Sequence, residues 1–246
     1  MVVKMLTEVE GFIFSETPYG ETSKIIQVFT KEYGLIGIMC KGAKSLKSKY
    51  RATTLKLTYA KFNIYYKENK LSTFASADII NPLKNIKGDI VLISYISYIV
   101  ELTNQVLKQT DYNNVYTDFI NTILKIEEGL DPLVLTNILE LKYLAFLGVG
   151  FNLDSCVECG NTTHIATISP DKGGFICSNC LTNETVVDSK VIKMIRMYYY
   201  VQIDSIKELK INEDIKNTIN HFLDNYYERY TGLYLNSKDF LKTLTS

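Results

Sequence analysis

The chain has 246 residues, of which 46% are hydrophobic and 22% charged, with 27 Lys/Arg balancing 27 Asp/Glu. That composition argues against a disordered chain, and no run approaches the roughly 18 consecutive apolar residues of a membrane-spanning helix. The opening MVVKMLTEVEGF carries charges where a secretory signal would need apolar residues, so a soluble cytoplasmic protein with no membrane partner is expected.

The neutral total conceals an asymmetry. Residues 1–80 carry a balance of +5 and residues 81–246 a balance of −5. Between positions 33 and 67 stand seven lysines and Arg51 but no Asp or Glu. A field this uneven points to an anionic partner for the N-terminal part only.

Five β-branched and aromatic runs come first: GFIF (11–14), KIIQVFT (24–30), LIGIMC (35–40), LKLTYAKFNIYY (55–66) and LSTFASADI (71–79), separated by turn-like TPYGE, KEYG and KENK. In the fourth run Leu55, Leu57 and Tyr59 alternate in one phase and Phe62, Ile64 and Tyr66 in the other. A β-bulge near Ala60–Lys61 would reconcile the two phases. Five strands of this size fit a small closed barrel, commonly an OB-fold, with an open meander sheet as the alternative. Cys40, alone in an apolar run, reads as a buried and inert thiol.

Between the third and fourth runs, KGAKSLKSKYRATTLK (41–56) holds Lys41, Lys44, Lys47, Lys49, Arg51 and Lys56 without one acid. Flexible cations of this kind contact phosphates and supply affinity without base readout. Tyr50, Tyr59, Tyr65 and Tyr66 could stack exposed bases. A solvated loop explains the charge run equally well, and its position on an OB-like barrel favours nucleic acid.

From residue 82 the period becomes helical. Val91, Tyr95, Tyr98/Ile99, Leu102 and Val106 form one amphipathic face; a second helix covers about 113–127, and a third starts at Asp131-Pro132 and ends near Gly148. Helical pattern resumes at 188–201 and at 213–230, where Ile215, Ile219, Phe222/Leu223, Tyr226 and Tyr230 share a face. The first of these pairs apolar residues with Lys193 and Arg196, a combination suited to a groove for an acidic tail with a hydrophobic end, although core packing accounts for its apolar residues too.

Two CxxC pairs, Cys156/Cys159 and Cys177/Cys180, are separated by 17 residues. Each pair presents two thiolates on one side of a tight loop, and together they complete a tetrahedron around one structural Zn2+. Disulfide-prone pairs and an iron–sulfur cluster are the alternatives; the latter favours other spacings. Gly160, Gly173 and Gly174 flank the pairs and allow the backbone to turn close to the metal. Four thiolates leave no open coordination position, so such a metal holds a fold and does not catalyse. His164 then reads as a surface residue and His221 as a helix-edge residue. No phosphate loop, dinucleotide fingerprint, nucleophile elbow or HExxH motif is present, which argues against an enzyme and against a zinc-dependent hydrolase.

Two stretches resemble a known family. GFIFSETPYGETSKIIQVFTKEYGLIGIMCKGAKS is similar to the opening of the bacterial RecO recombination mediators, and LAFLGVGFNLDSCVECG…ISPDKGGFICSNC to their helix-to-zinc junction. The likeness runs from residue 4 to 246, and all four cysteines are kept. It implies an α+β chain in three parts: a five-stranded OB-fold over 1–80, a helical domain over 81–152 and 182–246, and a four-cysteine zinc knuckle inserted at 153–181. It further implies binding of single- and double-stranded DNA, annealing of complementary strands, and association with RecR and with the acidic C-terminal tail of single-stranded DNA-binding protein. RecA is then loaded, and the setting is the nucleoid. The family's basic DNA-contacting positions fall on Lys24, Lys41 and Lys44, with Gly42 and Ala43 between; Lys47, Lys49 and Arg51 extend the set by charge and proximity. A protein-interaction scaffold that binds no nucleic acid is the competing reading.

Overall fold

The computed structural model describes residues 5–245. The chain divides into two compact units, one holding the chain up to Gly88 together with Asp111–Ile120, the other holding Asp89–Thr110 and everything from Asn121 onward.

In the first unit five strands, β1 (Leu6–Tyr19), β2 (Ser23–Thr30), β3 (Gly34–Cys40), β4 (Tyr59–Tyr65) and β5 (Ser72–Asn81), close into a barrel in the order β1-β2-β3-β5-β4. This is the OB-fold arrangement: three hairpin pairings (β1–β2, β2–β3 and β4–β5), a parallel β3–β5 closure at Ile38↔Ser72 and Met39↔Thr73, and a return pairing of β4 on β1. β1 is long and pairs with both β2 and β4, and its register against β2 shifts between Ile13 and Ser15. The extra residue, Phe14, bends the strand; Leu6–Phe12 pair with β4, and Gly11–Ile13 and Ser15–Tyr19 pair with β2.

Period 2 decides the filling. Val9, Ile13, Ile26, Val28, Ile38, Cys40, Ala60, Phe62 and Ile64 form one buried cluster. Phe12, Phe14 and Phe29 are buried as well, and Phe119 of helix α3 (Asn113–Glu127) lies 5.4, 5.2 and 5.5 Å from their ring centres. Tyr116, one turn earlier, meets Phe29 at 5.2 Å and, with Tyr59, donates a hydrogen bond to the Glu10 carboxylate.

The fourth run folds differently from its expectation. Residues 55–58 are not strand: a 3-10 turn at Ala52–Thr54 and a left-handed Leu57 (φ 61°) lead into β4 at Tyr59. The change of alternation phase therefore marks a loop entering a strand. The irregularities lie on β5, where Ile80 and Ala75 are the extra residues opposite Tyr59/Ala60 and Asn63/Ile64.

After α1 (Lys84–Gly88), the second unit contains α2 (Ile90–Val106), whose N-cap Asp89 accepts from the amides of Val91 and Leu92, and α4 (Pro132–Phe146), capped in the same way by Asp131. α5 (Ser189–Tyr200), α6 (Glu213–Tyr230) and α7 (Asn236–Thr245) follow. A small sheet interrupts between α4 and α5: β6 (Asn152–Cys156), β7 (Ile165–Ser169) and β8 (Gly174–Cys177) in the order β6-β8-β7. α4 is buried on all sides. Its Glu140 carboxylate accepts from Tyr98 and from Lys238 of α7 at 2.9 Å, and Lys238 also bridges to Asp224 at 2.7 Å. No helix among the described residues is long and apolar enough to cross a membrane.

Candidate metal centre and nucleic-acid interface

The two CxxC turns leave from the ends of neighbouring strands, Cys156 closing β6 and Cys177 closing β8. The first turn is tightened by hydrogen bonds from Gly160 N to Cys156 O (2.8 Å) and from Cys156 N to Asn161 O (2.8 Å); the second by Cys180 N to Cys177 O (3.0 Å). Gly160 takes a left-handed φ of 72°, which a side chain would strain. Gly174 is required for another reason, because a Cβ there would stand 2.3 Å from Asn152 O and 2.7 Å from the Val157 side chain. Only glycine lets β8 lie this close to β6.

All four Sγ atoms lie within 4.8 Å of one another, and Cys159 Sγ is 3.7 Å from Cys177 Sγ. A tetrahedral ion with metal–sulfur bonds of about 2.3 Å has ligand edges of about 3.8 Å, so this donor set fits one metal ion. Burial raises Cys156, but the backbone amides of Cys177, Cys159 and Glu158 outweigh it and bring the thiol down to about 6. Hydrogen bonds to Cys159 and Cys177 push Cys180 up to about 12. Four thiolates in so small a volume repel one another, and a cation relieves that repulsion.

His164 stays outside the cluster, exposed, with its Nδ1 3.0 Å from Thr163 Oγ1. His221 is exposed beside Asn225. Arg196 has a role that its sequence position does not suggest: its guanidinium donates to Leu153 O (3.1 Å) and Asp154 O (3.2 Å) and lies 5.1 Å from the Phe175 ring centre. It fastens α5 to the knuckle and does not flank an open groove. The groove that α5 does line, about 540 Å³ in volume, involves Val191 and Ile195 together with Ile219 and Phe222 of α6, and neither Lys193 nor Arg196.

The basic segment is the β3–β4 connection of the barrel. Lys41, Lys44, Lys47, Lys49, Arg51 and Lys56 are all exposed, and among the described residues none of them forms an ion pair. The base of the segment is fixed, with Lys44 N donating to Thr22 O (2.8 Å), Gly42 N to Ser23 Oγ (3.3 Å) and Lys44 Nζ to Gly20 O (3.3 Å). Lys24 stands apart: it is 5% exposed and ion-paired with Glu16. Glu16, Pro18, Lys24, Ala43, Lys44, Arg51 and Leu55 line a depression of about 420 Å³.

Of the four tyrosines, Tyr59 is buried and hydrogen-bonded to Glu10, so it cannot stack on a base. Tyr66 already stacks on Tyr33, with ring centres 4.0 Å apart. Tyr50 lies edge-on to Phe74 with Lys49 Nζ 4.9 Å above its ring, and Tyr65 is half-buried. Cys40 is fully buried, and burial pushes its thiol up to about 12.

The family model for the N-terminal part of recombination protein O matches residues 5–83, and that for its C-terminal part matches residues 87–239. The chain belongs to the RecO family. The DNA repair protein RecO of Halalkalibacterium halodurans is 32% identical over 246 residues, covering 98% of this chain and 96% of that protein. That of Bacillus subtilis is also 32% identical with the same coverage, and that of Listeria monocytogenes serotype 4a is 31% identical over 96% of this chain and 93% of its own. Here the barrel and the knuckle stand in one chain, and membership sets the process, DNA repair and recombination.

Proposed function

We propose that this chain is a non-catalytic mediator that binds single- and double-stranded DNA on its barrel and anneals complementary strands. The observation that supports this most directly is the acid-free β3–β4 connection, whose exposed cations have no carboxylate partner among the described residues, on an OB-fold. Lys41, Lys44, Lys47, Lys49 and Arg51 would neutralise phosphates of both strands, lowering their mutual repulsion while releasing counterions. Lys24 contributes from the floor of the depression, where Glu16 already compensates its charge. Tyr50 and Tyr65 are the tyrosines best placed to meet bases.

The four cysteines hold one structural Zn2+, a closed site that keeps the insert in shape. The helical unit serves as the docking surface for RecR and for the acidic tail of single-stranded DNA-binding protein, and through them RecA is loaded in the cytoplasm at the nucleoid. This part rests on family membership alone.

A strand-annealing assay on strands pre-coated with single-stranded DNA-binding protein tests DNA binding, partner recognition and mediation together. Faster annealing than with the coating protein alone is the expected result. Failure to shift the anisotropy of a labelled bare strand at moderate salt would instead favour the protein-interaction scaffold.

A further inference from the structure

Lys24 occupies an unusual place for a lysine. Along β2 it continues the phase of Ile26 and Val28, whose side chains lie in the buried cluster of the barrel, and it pairs in register with Pro18 on one side and Cys40 on the other. It is therefore an inward-phase residue at the mouth of the barrel. A buried ammonium needs a counterion, because its lost hydration is otherwise uncompensated. Glu16, which shares the β1 face of Pro18 and pairs with Ile26, supplies it. The other titratable neighbour, the Cys40 thiol, stays neutral.

The two partners differ in their surroundings. The Lys24 side chain is 6% exposed, whereas that of Glu16 is 34% exposed. The depression that both line is otherwise basic, with Lys44 and Arg51 on its rim, and Glu16 is the only carboxylate among its described lining residues. Its loop wall is fixed by the hydrogen bonds from Lys44 and Gly42 to the β1–β2 turn. The site is thus a preformed cation cluster in which one anion, a carboxylate from the chain itself, is already seated.

We propose that Glu16 is an exchangeable stand-in for a DNA phosphate: a backbone phosphodiester entering the depression displaces the carboxylate from Lys24 and takes its place between Lys24, Lys44 and Arg51. Glu16 then sets how tightly this barrel holds DNA. Its carboxylate competes with the phosphate and limits affinity, and the Lys24 ammonium remains compensated in both states. The inference rests on the DNA-binding reading above and names its inner phosphate subsite.

The test uses the full-length protein and a labelled single strand, with affinity measured by anisotropy across a salt series. Glu16→Gln is expected to tighten binding roughly three- to tenfold, as one charge-assisted contact becomes available to phosphate. The slope of log affinity against log salt should steepen by about 0.7, the single-strand value for one phosphate contact. Glu21→Gln removes the same charge from the β1–β2 turn without touching Lys24 and should change affinity less than twofold. In a Lys24→Gln background the gain from Glu16→Gln should vanish. Equal gains from Glu21→Gln, or a gain that survives without Lys24, would reduce Glu16 to a general field effect and overturn the proposal. Weaker or unchanged binding by a Glu16→Gln protein whose thermal unfolding matches the parent would overturn it as well. Should Glu16→Gln unfold, Glu16→Asp, which withdraws the carboxylate by one methylene, must tighten binding, and failure to do so overturns the exchange. A parent protein that binds no strand at all would instead sink the DNA-binding reading beneath it.

Discussion

Lysines behave differently in the two units of this chain. In the helical unit Lys216 bridges Asp131 (2.6 Å) and Glu213 (2.7 Å), Lys238 bridges Glu140 and Asp224, and Lys172 joins Glu158 (3.3 Å) to Glu184 (3.0 Å). On the β3–β4 connection of the barrel five lysines and Arg51 face solvent, with no carboxylate partner among the described residues. The first set stitches helices and the knuckle together, and its charges are spent inside the fold. The second set leaves its charges free for a ligand. Equal net charges of opposite sign in the two parts of the sequence thus describe two uses of the same residue type.

The largest expected effect breaks the helical unit and spares the barrel. Removing the metal by chelation, or replacing Cys156 with Ser, should unfold the knuckle, since metal binding in such sites is worth on the order of 10 kcal/mol. Loss of one equivalent of bound zinc and of Arg196-dependent protection of residues 152–177 in hydrogen exchange would show it. DNA affinity of the barrel should stay within about twofold, and a collapse of that affinity would mean that the two uses are not separate.

Next comes the loop itself. Charge reversal at Lys41, Lys44 and Lys47 together should cut DNA affinity by at least about a hundredfold and flatten the salt slope by about 2.7, three contacts at about 0.9 each. The unfolding midpoint should move little, because among the described residues none of the three is in an ion pair and the side chain of Lys44 makes one exposed hydrogen bond, to Gly20 O. The converse holds for Lys238. Replacing it with Ala leaves Glu140 buried without its cation and should destabilise the protein by about 3–5 kcal/mol in denaturant titrations, with DNA affinity preserved.

Alkaline pH separates the units less sharply. Burial holds Cys40 up to about 12, so the folded barrel keeps a proton that the unfolded chain releases near about 8.5. Stability from this group is full below the unfolded value and declines as pH rises from about 8.5 toward 12. Cys40→Ala should remove that part of the decline, and Cys40 in the native protein should react slowly with a thiol reagent. The smallest effect belongs to the exposed Lys61–Glu8 pair (3.1 Å), whose loss should change stability by less than about 0.5 kcal/mol.

Much of the architecture is legible in the sequence because its signals are local. The Asp131-Pro132 cap, the helical period of α2 and α6, the alternation of four of the five strands and the CxxC spacing are each written within a few residues. What escapes is written across distance. α7 has only Leu241 buried and is held by Glu101 and Glu140, residues far away in sequence, and by Asp224 of the preceding helix. Lys24 reads as a free cation because its burial follows from barrel closure, and Glu16 becomes its partner only through the β1–β2 register. Arg196 groups with Lys193 by charge, yet its guanidinium is taken up by carbonyls of β6. The phase change at 55–66 records a loop entering β4, while the irregularities lie on β5, since one strand's alternation cannot reveal where its partner carries extra residues.

Phe119 carries a practical consequence for anyone who cuts this chain. Its ring packs among Phe12, Phe14 and Phe29, although some ninety residues of sequence lie between it and the last of them. A gene fragment ending after β5, or even at Gly88, would encode every strand of the barrel and still leave three phenylalanines uncovered, inviting aggregation. The barrel is a module of space and not of sequence; an autonomous version must bring residues 111–120 with it, through a linker or a permuted chain.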